Sequence, residues 1–169
     1  YQVSSSGSVP LAGVKSPLFG SAAASAALAT LVSQPRAHVL ENEYTRVTKR
    51  SIEADSILTG ALASSPALAT PFAAGNSLAS QLNMVARMVS AAPKLGAKRQ
   101  VFFVSMGGFD THDNLLGTHP VLLSNLASAL ASFQAAMREL GLGDSVTTFT
   151  ASDFGRTMAG NSDGSDHGW

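Results

Sequence analysis

A long helical pattern between two short apolar segments constrains the fold of this chain more than any other feature. Apolar residues recur every three or four positions across 120–140, which predicts a helix that begins near Pro120 and stops at Gly141. The flanking segments 100–106 and 145–150 are rich in β-branched and aromatic residues, which favours buried strands. A strand, a helix and a second strand predict a right-handed βαβ unit with parallel strands. The predicted fold class is therefore α/β.

The rest of the chain divides by composition near residue 40. The segment 1–40 is rich in Ser, Ala, Gly and Pro and carries little charge, which indicates a loop-rich segment. Apolar periodicity then predicts two further helices, 41–62 and 77–92, with Ser77 as the N-cap of the second. We therefore predict a loop-rich segment followed by one α/β domain over 41–169.

Charge and cysteine content exclude several classes of protein. Charged residues are 13% of the 169, with 11 acidic and 11 basic side chains, so the chain lacks the basic excess of a nucleic-acid-binding protein. No apolar run reaches the ~18 residues of a membrane span, so none is expected. Cysteine is absent, which excludes disulfides and thiolate zinc sites.

Metal-ligating residue types concentrate after the two predicted strands. Three of the four histidines and five of the 11 acidic residues fall within 107–119 and 152–168. Ligands of open α/β sheets bind at the carboxyl ends of the strands, where both segments are expected to lie. Asp110 and His112 are two positions apart, so an extended loop would place both side chains on one side.

The chemistry of these side chains suits a divalent cation, with several arrangements open. Carboxylates and imidazoles bind Zn²⁺ or Mn²⁺, and carboxylates also bind Ca²⁺ or Mg²⁺. Asp166 and His167 are adjacent, so they would serve one ion through a turn or two neighbouring ions, an arrangement suited to displacement at phosphorus. Asp153 also suits a helix N-cap, and Asn114 suits a turn.

Three motifs in order resemble a known bacterial family. The segments 102–114 (FFVSMGGFDTHDN), 150–157 (TASDFGRT) and 166–168 (DHG), with a leucine-rich helix after the first, are similar to the family called domain of unknown function 1501, DUF1501. The resemblance implies an alkaline-phosphatase-like fold, with a mostly parallel sheet flanked by helices. It also implies a longer protein, exported to the periplasm or cell surface, often by a twin-arginine signal.

The resemblance also implies roles for individual residues. The implied metal ligands are Asp110, His112, Asp153, Asp166 and His167. Asp153 and His167 are the stronger candidates in the second group, but Phe154 stands where the superfamily has a histidine, which leaves the number of metal ions open. The candidate substrate-binding residues are Arg156 and Asn114, and Arg156 would either bind an anionic oxygen or support the site through an ion pair.

The function that this resemblance implies is metal-dependent hydrolysis of phosphate or sulfate esters, with small molecules or glycans as substrates. Nothing in 1–40 looks like the superfamily's nucleophile, so we expect the nucleophile outside this chain and the chain to be the central to C-terminal part of the fold. The alternative is a non-catalytic exported protein that uses the same fold and a structural metal to bind carbohydrate or a protein partner.

Overall fold

The computed structural model describes residues 3–168, which form four helices and two small antiparallel sheets. The elements are β1 (Val3–Ser4), β2 (Gly7–Ser8), α1 (Ala22–Ser33), α2 (Val39–Ala63), α3 (Ser77–Ala91), α4 (Leu115–Glu139), β3 (Gly155–Gly160) and β4 (Ser165–Gly168). β1 pairs with β2, and β3 pairs with β4. Contacts divide the chain into two units, 1–65 with 91–98 and 66–90 with 99–169. The predicted boundary at residue 40 stays a prediction.

The predicted α/β fold with a mostly parallel sheet is wrong for the residues that the structure describes. Both sheets are two-stranded and antiparallel, and the segments 100–106 and 145–150 contain no strand. The strands of the second unit are β3 and β4. Both lie within 152–168, the segment that was predicted to follow a strand and to hold polar site residues.

The segment 100–106 shows why the strand prediction failed. Its side chains do alternate, since Phe103 is 93% exposed whereas Phe102 and Val104 pack against the core. A strand also needs a neighbouring strand for its backbone groups. The Ser105 backbone instead bonds to the Gln81 side chain, with its N–H donating at 3.1 Å and its C=O accepting at 2.8 Å. Alternation of apolar residues indicates that one face of a segment is buried. It does not show whether a neighbouring strand pairs with the segment, because that depends on other parts of the chain.

The helices predicted at 41–62 and 77–92 are confirmed as α2 and α3. The N-cap of α3 is Asn76 and not Ser77, because Asn76 Oδ1 accepts a hydrogen bond from the Ala79 N–H at 3.1 Å. Asn76 Nδ2 also donates to the carbonyl of Asn125 in α4 at 2.8 Å. The side chain therefore caps one helix and joins it to the next.

The loop prediction for 1–40 is wrong over α1. This helix is rich in alanine, the residue with the highest helix propensity. Ser21 caps its N-terminus, since Ser21 Oγ accepts from the Ala24 N–H at 3.2 Å. The glycines and prolines that indicate a loop all lie outside α1, so they delimit the helix rather than exclude it.

In the first unit, Asp55 links α2 to the chain before α1. It forms an ion pair with Lys15 and accepts a hydrogen bond from the Ser8 hydroxyl, and its side chain is only 9% exposed. The bond with Lys15, followed by the bond with Ser8, holds the pKa of Asp55 below its ordinary value. The carboxylate is therefore charged at neutral pH and fixes this contact.

The core of the second unit lies between α3 and α4. Its buried residues are apolar and come from these two helices: Leu78, Ala79, Leu82, Val85, Ala86, Ala129, Phe133, Ala136 and Met137. Helix α4 begins at Leu115 and so contains Pro120, which the sequence predicts as its start. The earlier start is stabilised by the hairpin β3–β4, because the Leu115 N–H donates to the carbonyl of Asp163 at 2.9 Å.

Helix α4 meets the length and composition of a membrane span, with 22% of its most apolar window buried. This is weak evidence, because a core helix of a water-soluble domain meets the same criterion. Phe133 and Met137 of α4 are in the core of the second unit. The expectation of no membrane span stays a prediction.

Glu139, at the end of α4, provides a pH-dependent contact within the second unit. It accepts hydrogen bonds from the Thr70 hydroxyl (2.5 Å), the Ala69 N–H (2.7 Å) and the Thr70 N–H (2.8 Å). These bonds, that of the Thr70 hydroxyl foremost, hold the pKa of Glu139 below its ordinary 4.5. A depressed pKa in the folded state stabilises the fold above pH 4.5, and this stabilisation is lost as the pH falls through the folded pKa.

We therefore expect Glu139→Gln to lower the Tm at about pH 7 and to lower it less at about pH 3, because the stabilisation by the carboxylate decreases as the pH falls below 4.5 toward the folded pKa. Thermal unfolding of both proteins at the two pH values measures this. The control is Glu41→Gln, at an exposed position in α2. An equal loss of Tm at both pH values would contradict an ionic origin.

Candidate metal site

The candidate site is built by two segments of the second unit, the loop before α4 and the hairpin β3–β4. In the hairpin, Arg156 lies opposite His167, and the register shifts between Arg156 and Gly160. The Ser165 N–H donates to the carbonyl of Thr111 at 3.3 Å, which joins the hairpin to the loop. Gly164 permits this approach, since a Cβ there would overlap the backbone of His112.

Arg156 of the hairpin forms hydrogen bonds with the loop before α4 and with the opposite strand. Its Nη2 donates to the carbonyl of Phe109 at 2.5 Å, and its Nη1 donates to the carbonyls of Thr111 (3.3 Å) and Ser165. Nη2 also lies 3.5 Å from Oδ1 of Asp110. This pattern matches the supporting role that the sequence leaves open for Arg156. Its binding of an anionic oxygen stays a prediction.

Asp110, His112 and His167 form the centre of the site, called here the Asp–His–His cluster. Oδ1 of Asp110 lies 2.8 Å from Nε2 of His167 and 2.9 Å from Nε2 of His112. One ligand-type atom from each residue falls within 4.8 Å of the others. The three side chains are 57%, 50% and 48% exposed, respectively, so the cluster is open to solutes.

The cluster favours an ionised Asp110. The hydrogen bond from His167 is the largest cause that lowers the pKa of this carboxyl below its ordinary value. Partial desolvation opposes the shift, and the charges of His112, His167 and Arg156 add to it. The Asp110 carboxyl is therefore ionised at neutral pH.

Aromatic stacking orients the histidine rings. Phe154 stacks on His167 with ring centroids 3.9 Å apart and planes at 15°, and His167 stacks on His112 at 5.0 Å and 27°. The Arg156 guanidinium lies 5.2 Å from the centroid of Phe154. In the sequence, Phe154 stands out only as a departure from the family pattern. Its position between Asp153 and the hairpin gives no local signal of this contact.

The remaining predicted site residues lie around the cluster. Asp166 contacts His112 Nδ1 at 3.1 Å rather than joining the three converging ligand atoms. Asp153 is exposed, lies just before β3 and is not one of those three residues. Asn114 directly precedes α4 with φ 45° and makes no side-chain cap. Asn161, which lies outside the three motifs and was not predicted, also belongs to the site, since its Nδ2 donates to Asp166 Oδ1 at 2.8 Å.

A cavity of about 190 Å³ adjoins the cluster. Its lining residues combine aromatic and polar side chains from the same two segments: Phe109, Thr111, Leu115, His119, Ser152, Phe154 and Arg156. Phe109 and His119 meet edge to face at 6.0 Å. The cavity shares Phe154 and Arg156 with the site.

The fold and the site together define a class of protein, in which two packed helices carry a loop and a hairpin with one carboxylate and two imidazoles at their junction. The chain belongs to the family described as a protein of unknown function (DUF1501), whose family model matches residues 19–169. The family membership predicted from the three motifs is thereby confirmed. Neither a curated protein nor a solved structure matches the chain.

Proposed function

We propose that the Asp–His–His cluster binds a divalent cation and that the protein hydrolyses phosphate or sulfate esters. The observation that carries the proposal is the convergence of three ligand-type atoms, from two separate segments, within 4.8 Å. One carboxylate and two imidazoles suit Zn²⁺ or Mn²⁺ better than Ca²⁺ or Mg²⁺, which prefer all-oxygen sites. Three protein ligands with exposed side chains leave coordination positions for a substrate.

The ester chemistry is what the resemblance of the three motifs to DUF1501 implies. A bound divalent cation supplies Lewis-acid polarisation of an ester oxygen. Asp110 contributes the negative charge of the site, while His112 and His167 present their Nε2 atoms to it. Phe154 holds the plane of His167, and Arg156 keeps loop and hairpin in register.

The cavity beside the cluster supports a small-molecule or glycan ester as substrate. Its volume of about 190 Å³ exceeds the roughly 150 Å³ of an engineered cavity that binds benzene, so it holds a group of ring size. Phe109 and Phe154 offer apolar ring surface, while Ser152 and His119 offer polar atoms. The organic part of an ester would lie there, with the anionic part at the cluster.

A non-catalytic exported protein with a structural metal is the second candidate. One observation favours it: among residues 3–168, no serine or threonine hydroxyl hydrogen-bonds to Asp110, His112 or His167. In that case the same cluster would bind the metal, and the partner would be a carbohydrate or a protein.

Turnover measurements distinguish the two candidates. We expect the protein to hydrolyse members of a panel of aryl phosphates and aryl sulfates with added Zn²⁺ or Mn²⁺, and to lose this activity on addition of a chelator. Asp110→Asn should abolish turnover, whereas Asp144→Asn, an exposed carboxylate outside the site, should not. Metal binding without turnover across the panel would favour the binding protein.

A further inference from the structure

We propose that Asp166 is a positioning residue for His112 and not a metal ligand, a role that rests on the proposed metal site. The two nitrogens of His112 have different partners. Nε2 faces Asp110 at 2.9 Å within the cluster, whereas Nδ1 lies 3.1 Å from Asp166 Oδ1 on the other side of the ring. An Nδ1–H that donates to Asp166 leaves the lone pair on Nε2 directed at the cluster.

The hairpin holds Asp166 in this position through a side chain that the motifs do not reveal. Asn161 Nδ2 donates to Asp166 Oδ1 at 2.8 Å, the same oxygen that faces His112. The Asn161 backbone N–H donates to the carbonyl of Gly164 at 3.1 Å, which places Asn161 at the start of the turn between β3 and β4. A chain of contacts thus runs from the turn through Asn161 and Asp166 to His112.

Asp166 and His167 are adjacent in the chain but hold different positions in the site. His167 contributes Nε2 to the three converging atoms, and Asp166 does not contribute an oxygen to them. A carboxylate that accepts from the second nitrogen of a ligating histidine fixes the tautomer and the orientation of its ring. Asp166 is therefore not a metal ligand in this proposal, and it orients the ring of His112.

The tautomer of metal-free His112 tests this role without metal or activity. Two-bond ¹H–¹⁵N correlation spectra of the neutral ring report which of its two nitrogens carries the proton. Because the Asp110 carboxylate also faces Nε2, at 2.9 Å, the comparison is made in the Asp110→Ala background. We expect Nδ1–H in Asp110→Ala and a shift toward Nε2–H when Asp166→Ala is added. Nε2–H in Asp110→Ala, or an unchanged spectrum when Asp166→Ala is added, would overturn the proposal.

Metal affinity provides the second readout. Loss of an outer-shell partner typically weakens metal binding 10–100-fold. Since the Asp166 side chain is 61% exposed, we expect about a 10-fold loss of Zn²⁺ affinity in Asp166→Ala. Asp166→Asn keeps an oxygen that accepts from the Nδ1–H, so it should recover most of the affinity. If Asp166 were instead a metal ligand, the amide would replace the carboxylate poorly and the affinity would stay low.

Asp163→Ala is the matched control, because it removes an exposed carboxylate from the same hairpin and keeps the backbone carbonyl that Leu115 uses. Its affinity should equal that of the unsubstituted protein. A loss in Asp166→Ala as large as that in Asp110→Ala, without recovery in Asp166→Asn, would identify Asp166 as a ligand and contradict the proposal. If the unsubstituted protein binds no metal, the proposed function fails, while the tautomer measurement still decides the role of Asp166.

Discussion

Replacing His167 with alanine is expected to reduce the affinity for Zn²⁺ by more than about 100-fold, since the loss of an outer-shell partner alone costs up to about that factor. His167 supplies one of the three converging ligand atoms, and its Nε2 is the nearest imidazole nitrogen to Asp110, at 2.8 Å. The substitution also removes the hydrogen bond that contributes most to lowering the pKa of Asp110.

Competition with a chelating dye measures the affinity, and thermal unfolding provides an independent check. A ligand at 100 times its Kd stabilises the native state by about 2.7 kcal/mol. Zn²⁺ should therefore raise the Tm of the unsubstituted protein at concentrations that leave His167→Ala unchanged. His38→Ala serves as the control, because His38 lies in the first unit directly before α2 and is exposed. Equal Zn²⁺ affinities of His167→Ala and the unsubstituted protein would refute the ligand assignment.

Replacing Phe133 with alanine is expected to lower the free energy of unfolding by about 3–5 kcal/mol, the usual loss for a phenylalanine removed from a packed core. Phe133 is 4% exposed and belongs to the apolar cluster between α3 and α4. Removing its ring leaves a cavity that the surrounding side chains fill only in part. Since small domains are stable by only about 5–15 kcal/mol, the variant would be close to unfolding.

Urea denaturation followed by far-UV circular dichroism measures this loss, and Phe133→Leu gives a smaller one should the alanine variant not fold. The control is Phe103→Ala, which removes the same ring from a position that is 93% exposed. Its unfolding free energy should change by no more than about 0.5 kcal/mol. Equal losses for Phe133→Ala and Phe103→Ala would show that the core does not lie between these helices.

The helices were predictable because their signal is local. In α3 and α4 the apolar residues repeat at the helical period, and the structure buries some residues of the predicted face and packs most of the others partly buried against the core. The bounds of α4 were less predictable, since its first N–H bonds to Asp163, far along the chain. Helix α1 was predictable in principle from its alanine content and from Ser21 as its cap.

The hairpin β3–β4 has a local signal in the sequence, although it was not predicted. The turn Asn161–Gly164 is composed of residues that favour turns, between two segments of polar and small residues. Recognising it would have shown that Arg156 and His167 pair across the hairpin, although they are 11 positions apart. It would also have placed Asp166 and His167 on a strand rather than after one.

The sequence by itself determined which residue types are available to the site, since three of its four histidines and five of its 11 acidic residues lie in two short segments. It also determined the helical core through apolar periodicity, and the family through three motifs in order. The tertiary structure decided that Asp110, His112 and His167 converge while Asp166 lies behind His112. It also decided against the parallel sheet. The physical reason is the same for both outcomes: convergence of ligands and pairing of strands depend on contacts between distant segments, which local patterns do not specify.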